Sequence, residues 1–437
     1  MHRIAPHAEY SPDVHLNLNV RGMRPSATVA INEQSDRMIR EGRKVIKFGL
    51  GQSPFPVPRP VTDALRHHAH EKDYLPVRGL APLRAAVADY FRRRQGLTST
   101  EEDVIVGPGS KELMFLLQLV YYGDLVVPTP CWVSYAPQAT ILGRQIRWLP
   151  TRREDDWRLT PAQLDALCCP DPDRPRIVIL NYPNNPTGGT YHLDELRELA
   201  RVARHYRVVL LSDEIYGELH FRGQHVSVGR FYPEGTIVSS GLSKWCGAGG
   251  WRLGVFVFPP SLRWLLDGMA AVASETYTST SAPIQYAAVE AFRGGMEIER
   301  HLWLSRRILS ALGRFCHHRL AEVGALVTKP DGAFYLFPDF SPFRETLAAR
   351  GIADDRTLCE RLLAETGVAM LPGQEFGRRP EELTARVALV CFDGIWALAA
   401  AEVLPAETPP DELFLRSFCA PVVEGMDLLC EWIPRPA

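Results

Sequence analysis

The stretch "RIVILNYPNNPTGGTYHLDELRELARVARHYRVVLLSDEIYG", residues 176–217, decides the fold. It begins with an apolar run, passes through a turn rich in Asn, Pro and Gly, continues as a helical pattern and ends in a second apolar run. Short apolar runs bounded by Gly, Pro, Asn or Asp are typical of strands that are buried on both faces. A helix between two such strands predicts a crossover connection, and therefore parallel strands.

Five more runs of this kind lie between about residue 104 and residue 258, on both sides of the first stretch. They are "DVIVGPGS", "DLVVPTP", "RQIRWLPT", "TIVSSGLSK" and "RLGVFVFPP". Together the seven runs predict an α/β fold whose large, doubly wound domain surrounds a mostly parallel seven-stranded sheet. After residue 310 the pattern changes to a helix followed by antiparallel strands, which predicts a smaller α+β domain.

Composition restricts the class of partner and the compartment. The chain has 437 residues, of which 46% are hydrophobic, and its formal net charge is −2. Because charge is balanced and no long block of one sign occurs, we expect neither nucleic acid nor an anionic membrane as a partner. The N-terminus lacks a signal-peptide core, and the nine cysteines have no metal-binding spacing, so we expect a cytoplasmic protein with reduced thiols and no metal.

Polar groups follow two of the predicted strands, where ligands bind in doubly wound sheets. In "VGPGSKEL", residues 106–113, Gly109, Ser110 and Lys111 open a helix, and unpaired N–H groups at a helix start favour an anion such as phosphate. An ordinary strand–helix turn capped by serine is the alternative. In "LLSDEIYG", Asp213 and Tyr216 end a very apolar strand, where a helix cap is again the alternative to a functional role.

Lys244 lies in the segment "SSGLSKWCGAGGWRLG", residues 239–254, and is one of only six lysines among 49 basic residues. A lysine amine forms a Schiff base with a carbonyl, which a guanidinium cannot do, and its pKa falls readily when it is desolvated or close to another cation. Lys244 is therefore a candidate covalent anchor for an aldehyde cofactor. A solvated surface charge in a glycine-rich turn is the alternative.

The chain resembles the fold-type I pyridoxal-phosphate enzymes, specifically the class I and II aminotransferases related to aspartate aminotransferase. "GLSKWCGAGGWRLG" satisfies that family's lysine signature, in which an arginine follows the lysine by eight positions. Most of the chain shares the resemblance, because further motifs occur in the family's order. They are "MRPSATVAINEQSDRMIREG", "FGLGQSPFPVPRPV", "YLPVRGLAPLRAAVADYF", "PCWVSY", "NYPNNPTG", "SDEIYG" and "PDGAFYLFPDF".

The resemblance implies an enzyme that uses pyridoxal 5′-phosphate to move an amino group between an L-amino acid and a 2-oxo acid. Lys244 would bind the cofactor as a Schiff base and carry a proton to and from the substrate Cα. Asp213 would pair with the ring nitrogen, so that the ring accepts electrons. Asn185 and Tyr216 would hydrogen-bond the ring hydroxyl oxygen, and Trp132 would stack on the ring face.

For the anionic groups, the resemblance assigns the cofactor phosphate to Ser110, Lys111, Arg252 and the backbone of Gly109. Tyr74 would reach that phosphate from a neighbouring subunit, which implies a homodimer with shared active sites. The substrate α-carboxylate would bind to Gly51, to Arg386 through a bidentate pair, and to Asn185.

The expected domain division has three parts: an N-terminal segment, 1–55, that joins the small domain; a large cofactor-binding domain, 56–310; and a small C-terminal domain, 311–437. The Pro-rich segment 404–421 looks like a loop before a last helix, "VVEGMDLLCEWI". The segment and the tail are longer than the family minimum. They are expected either to cover the site or the dimer edge, or to have no specific role.

Two departures from the family pattern leave alternatives open. The usual "EPDF" is here "QSPF", residues 52–55, which alters the wall near the substrate and leaves the amino donor and acceptor undetermined. Around Arg386 the sequence is "TARVALVCF", without the family's small hydroxyl residues, so Arg378 or Arg379 is an alternative carboxylate ligand. Elimination or oxidation of an amino acid on the same scaffold is an alternative reaction, and a non-catalytic sensor domain is an alternative class of protein.

Overall fold

The structure is a computed structural model that describes residues 15–23 and 25–436. The first 14 residues of the expected 1–55 segment, together with Arg24 and Ala437, lie outside the described residues. The strands are β1 (Ile46–Lys47), β2 (Val104–Gly107), β3 (Asp124–Thr129), β4 (Ile146–Pro150), β5 (Arg176–Asn181), β6 (Val209–Asp213), β7 (Thr236–Gly241), β8 (Gly254–Val257), β9 (Tyr335–Leu336), β10 (Val368–Ala369), β11 (Leu371–Pro372) and β12 (Ala385–Ala388).

The helices alternate with the strands in the first two thirds of the chain and predominate afterwards. They are α1 (Ala27–Arg40), α2 (Arg59–His67), α3 (Ala81–Gln95), α4 (Ser110–Val120), α5 (Tyr135–Ile141), α6 (Pro161–Cys168), α7 (Leu193–His205), α8 (Arg263–Thr276), α9 (Ala282–Arg293), α10 (Met296–Glu322), α11 (Arg344–Ala349), α12 (Asp355–Thr366), α13 (Gly394–Glu402), α14 (Glu412–Phe418) and α15 (Ala420–Trp432). Among the described residues, none of these helices has the length and apolar character that crossing a membrane requires.

The central sheet has seven strands in the order β2-β8-β7-β6-β5-β3-β4. Strand β8 is antiparallel to its neighbours β2 and β7, and every other pair is parallel. All seven apolar runs predicted as strands are strands of this sheet, and the predicted α/β fold class is confirmed.

Helices cover both faces of the sheet, which explains why inner strands such as β5 and β6 are buried at every position. On β5, Ile177 and Ile179 pack in a cluster with residues of α4 and α8. Val178 and Leu180 point to the opposite face and pack with residues of α6 and α7. Since successive side chains of a strand alternate between faces, two covered faces require an uninterrupted apolar run.

The C-terminal part contains two small sheets. Strands β11, β12 and β9 form an antiparallel sheet, and β1 pairs in parallel with β10. Strand β1 brings the N-terminal part of the chain to these C-terminal elements. Helix α10 runs without a break through residues 310 and 311. The division into domains at these residues stays a prediction.

The segment 404–421 was expected to be a loop, and this expectation is wrong in part, because helix α14 forms within it. The N-cap Asp411 starts that helix by accepting a hydrogen bond from the Phe414 amide at 2.8 Å. In α15, Trp432 is fully buried and its Nε1 donates to Glu365 Oε2 at 2.7 Å. The helices after residue 403 thus complete the C-terminal core.

Gly254, the first residue of strand β8, packs against the start of helix α4. A Cβ at position 254 would overlap the backbone of Gly109 and Ser110. We expect Gly254→Ala to lower the free energy of unfolding by about 2 kcal/mol, because overpacking forces backbone shifts. Urea unfolding followed by circular dichroism measures the change.

Gly268, in helix α8, is the matched control, because a Cβ there makes only ordinary contact with Val120. Gly268→Ala should be neutral or stabilise the protein by about 0.5–1 kcal/mol, since alanine is the better helix former. Equal unfolding free energies for the two variants would contradict the close approach at Gly254.

Candidate active site

A cavity of about 480 Å³ lies at the carboxyl ends of the parallel strands, a volume within the usual range of small-molecule sites. It brings together residues far apart in the sequence. Of the residues predicted for the site, its lining includes Gly51, Ser110, Lys111, Trp132, Asn185, Asp213, Tyr216, Lys244, Arg252 and Arg386.

Lys244 follows strand β7 and points into the cavity. Its Nζ donates a hydrogen bond to the carbonyl oxygen of Gly51 at 2.7 Å. Burial, and after it the positive charge of Arg386, lowers the pKa of Lys244 to about 8. About a tenth of the amine is therefore neutral, and nucleophilic, at pH 7.

Asp213 ends strand β6 and is 3% exposed. Its Oδ2 accepts a hydrogen bond from the Tyr135 hydroxyl at 2.6 Å, and Ser239 Oγ lies 3.5 Å from Oδ1. Burial raises the pKa of Asp213 to about 6, against the opposing effect of the Tyr135 hydrogen bond. A buried carboxylate with neutral hydrogen-bond partners is suited to pair with a cationic ligand atom.

An anion cradle lies at the start of helix α4. Gly109, at φ 92°, is the N-cap, and a side chain there would overlap the guanidinium of Arg252. Arg252 is exposed, and its Nη1 donates to the carbonyl oxygen of Gly249 at 2.8 Å. Lys111 Nζ lies 5.2 Å from the ring centroid of Trp132. Partial desolvation, and then the charge of Arg252, lowers the pKa of Lys111.

Arg386 is the buried cation of the cavity, with 1% exposure. Its Nη1 donates to Asn185 Oδ1 at 3.0 Å and its Nη2 to the carbonyl oxygen of Gly49 at 2.6 Å. Its Nε is buried without a hydrogen-bond partner among the described residues. The guanidinium thus retains donor capacity for an acceptor that enters the cavity.

The two alternative arginines are not among the residues that line the cavity. Arg378 Nε instead donates to Glu382 Oε2 at 2.8 Å, and the guanidinium lies 4.7 Å from the ring centroid of Trp157. Tyr74, expected to act in a neighbouring subunit, is 89% exposed and also lies outside the cavity lining.

Two tyrosines of the site were not predicted. Tyr135 donates to Asp213, and the hydroxyl of Tyr335 lies 2.8 Å from that of Tyr216. Tyr335 also approaches Gly51 so closely that a side chain at position 51 would overlap its ring. Both tyrosines belong to motifs noted in the sequence, "PCWVSY" and "PDGAFYLFPDF". The motifs were the available signal, but a motif does not show which side chain points into a site.

The chemistry of these groups fits pyridoxal phosphate. The amine of Lys244, with its lowered pKa, suits the aldehyde, and the cradle of Gly109, Ser110 and Arg252 suits the phosphate. The buried carboxylate of Asp213 suits its ring nitrogen.

Comparisons with known proteins agree with this geometry. Residues 43–390 match the family described as aminotransferase class I and II. The aspartate/prephenate aminotransferase of Thermus thermophilus is 34% identical over 372 residues, which cover 83% of this chain and 91% of that protein. The aspartate aminotransferase of Geobacillus stearothermophilus is 33% identical over 369 residues, or 82% of this chain and 91% of that protein.

Solved structures show the same relation. The structure of the Thermus thermophilus aspartate aminotransferase with maleate superposes with a TM-score of 0.79 at 32% identity, covering 90% of this chain and 100% of that one. The aspartate aminotransferase from Rhizobium meliloti gives a TM-score of 0.82 at 26% identity, covering 97% and 100%. The chain therefore belongs to the class I and II aminotransferases, pyridoxal-phosphate-dependent enzymes that transfer an amino group between an amino acid and a 2-oxo acid.

Proposed function

We propose that this aminotransferase acts on acidic amino acids and the corresponding 2-oxo dicarboxylic acids. The proposal depends on the charges of the residues that line the cavity. Among the described residues, the lining has one carboxylate, that of Asp213, and four cationic side chains, those of Lys111, Lys244, Arg252 and Arg386. A phosphate and one α-carboxylate occupy Arg252 and Arg386 and leave Lys111 for a second carboxylate. The names of the relatives, aspartate aminotransferases, and the maleate in one solved structure support the same class of substrate.

The cofactor roles that we propose follow the positions of the polar groups. Lys244 is the covalent anchor, and Asp213 pairs with the ring nitrogen. Asn185 and Tyr216 hold the ring hydroxyl oxygen, and Trp132 covers one face of the ring. Gly109, Ser110 and Arg252 bind the phosphate.

Pyridoxal phosphate, when bound, supplies an aldehyde that joins the substrate nitrogen and a ring that accepts the electron pair released at the substrate Cα. Lys244 Nζ would accept the proton from the Cα of the donor amino acid in the first half of the reaction, and would donate a proton to the Cα of the product amino acid in the second half. The lowered pKa of Lys244, about 8, supports this role, because a neutral amine accepts a proton near neutral pH.

The substrate α-carboxylate is proposed to bind to Arg386, to the backbone of Gly51 and to the amide of Asn185. The hydrogen bond from Arg386 Nη1 to Asn185 Oδ1, 3.0 Å, fixes the two side chains relative to each other. Stacking of the guanidinium between the rings of Tyr335 and Phe376, at 4.8 and 5.0 Å from their centroids, limits its motion. A bidentate pair then orients the Cα–H bond toward Lys244.

We further propose a homodimer in which Tyr74 reaches the phosphate bound by the other subunit. Support comes from exposure: Tyr74 is 89% exposed, and Arg252 at the phosphate cradle is also exposed. An aromatic side chain this exposed on a loop next to helix α3 is suited to contact a second copy.

A cytoplasmic location is proposed from the cysteines. Seven of the nine are buried free thiols, and burial raises the pKa of Cys131 to about 12. Buried thiols of this kind suit a reducing compartment.

The pH dependence of cofactor attachment tests Lys244. Because only the neutral amine attacks the aldehyde, the rate at which apoprotein reacts with pyridoxal phosphate should rise with pH and level off above the Lys244 pKa of about 8. Stopped-flow absorbance measures this rate, with Lys244→Ala as the unreactive control. A rate that still rises between pH 9 and 10, as expected for an ordinary lysine of pKa about 10.4, would contradict the role.

Lys111→Gln tests the substrate class. We expect kcat/KM for aspartate to fall about tenfold or more, since a charged hydrogen bond contributes about 1.5–3 kcal/mol. The value for a neutral amino acid and the dissociation constant of pyridoxal phosphate should stay within about threefold. Lys329→Gln, at an exposed lysine, is the matched control.

If Lys111→Gln instead weakens the cofactor and lowers kcat/KM for both amino acids alike, Lys111 binds the phosphate, as the sequence resemblance implied. The proposal of an acidic substrate would then lose the charge on which it depends.

Mixed dimers test Tyr74. Chains carrying Tyr74→Phe and chains carrying Lys244→Ala, purified as heterodimers through two affinity tags, should have one site with both changes and one with neither. Their activity should be about half that of the wild type. Activity of only half the Tyr74→Phe homodimer value would mean that Tyr74 acts within its own chain. A fully active monomer in analytical sedimentation would contradict the proposed homodimer.

A further inference from the structure

The turn that carries Asp213 and Tyr216 has two sides. Asp213 and Tyr216 line the active-site cavity. Glu214 and Gly217, which alternate with them in the sequence, line a second cavity of about 230 Å³, together with His225. The segment 213–217 is thus a thin wall between the active site and this second cavity.

Glu214 and His225 form a buried pair behind this wall. Glu214 Oε2 lies 2.9 Å from His225 Nε2, and the two side chains are 2% and 7% exposed. Glu214 Oε1 accepts hydrogen bonds from Ser212 Oγ at 2.7 Å and from Ser227 Oγ at 2.5 Å. With three donors around it, the carboxylate is held in one position.

The His225 ring lies directly beneath the backbone of the turn. A Cβ at Gly217 would overlap ring atoms of His225, so the glycine of "SDEIYG" is needed for this approach. The main chain at Gly217 therefore packs against the imidazole, which supports the turn that presents Asp213 and Tyr216.

Charged and titratable groups surround the pair and line the second cavity. His225 Nδ1 is buried and has no hydrogen-bond partner among the described residues. The charged and titratable groups that surround the pair or line this cavity are Tyr90, Arg93, Arg94, Tyr182, Glu218 and His220. Those that face Asp213 are Glu214, Tyr135, Tyr216 and Lys244.

We propose that His225 and Glu214 are positioning residues of the aminotransferase, which hold the 213–217 turn from behind and set the electric field at Asp213. The inference rests on the proposed pairing of Asp213 with the cofactor ring nitrogen. Neither residue touches the active-site cavity. Both act through the turn.

The carboxylate of Glu214 has a defined effect on its neighbour. Burial is the main cause of the raised pKa of Asp213, and the negative charge of Glu214 raises it further. Removal of that charge therefore lowers the pKa of Asp213 and keeps its carboxylate ionised to lower pH.

The positioning role is tested by binding pyridoxamine phosphate, which cannot bond covalently to Lys244, to the apoprotein in a tryptophan-fluorescence titration. His225→Phe fills the space but leaves the buried Glu214 without one donor, so we expect affinity to fall about tenfold. His225→Gln retains a donor and should stay within about threefold of the wild type. His205→Gln, at an exposed histidine, is the control for loss of an imidazole.

The electrostatic role is tested by repeating the titration from pH 5 to pH 9 with Glu214→Gln, which keeps the shape of the side chain. The pH at which binding is half lost should move to a lower value than in the wild type. Pyridoxamine phosphate ionises in the same way in both titrations. A difference in midpoint between the wild type and Glu214→Gln therefore arises from ionisation of the protein. The pH titration of Glu214→Gln also tests the proposal if His225→Phe does not fold.

Asp213→Asn distinguishes failure of the proposed Asp213 pairing from failure of the positioning role of His225 and Glu214. If it leaves the affinity for pyridoxamine phosphate unchanged, the proposed pairing of Asp213 fails, and the inference fails with it. If Asp213→Asn weakens binding while a folded His225→Phe binds as the wild type does, and Glu214→Gln leaves the pH midpoint in place, the positioning role alone is overturned.

Discussion

The site depends on the parallel pairing of strands β5 and β6. Their register places Asn181 opposite Asp213 at the carboxyl edge of the sheet, and Asn181 Nδ2 donates to the carbonyl oxygen of Asp213 at 2.9 Å. Asn181 Oδ1 in turn accepts a hydrogen bond from the amide of Asn185 at 2.7 Å. One strand pair thus fixes the backbone of Asp213 and the loop that holds Asn185, and a slip of one residue in the register of β6 would turn Asp213 to the opposite face of the sheet.

Burial at this edge shifts the pKa values of two oppositely charged groups, Lys244 and Asp213, in opposite directions. It lowers the pKa of Lys244 to about 8 and raises that of Asp213 to about 6. Desolvation disfavours the charged form of either group, so the same burial favours a nucleophilic amine at Lys244 and a carboxylate at Asp213 that gains from a cationic partner. The Tyr135 hydroxyl opposes the shift at Asp213 and favours the ionised form.

Close backbone contacts join the sheet to the elements that complete the cavity. Gly51 lies against the ring of Tyr335, Gly254 against the start of α4, and Gly217 against the ring of His225. Each glycine permits a separation that any side chain would prevent. The cavity is therefore held by packing on several sides, and Arg386, from the C-terminal sheet, reaches across to Asn185 at 3.0 Å.

By itself the sequence determined the sheet, because inner strands covered by helices on both faces are mainly apolar, and all seven runs are strands. It also predicted Lys244 as the covalent anchor, because a lysine amine forms a Schiff base with a carbonyl and a guanidinium does not. Tertiary structure alone decided that Arg386 rather than Arg378 enters the cavity, that Tyr335 lines it and Tyr135 holds Asp213, and that α14 forms within a Pro-rich segment. These depend on side-chain direction and on contacts between distant segments, and no local pattern encodes either of them.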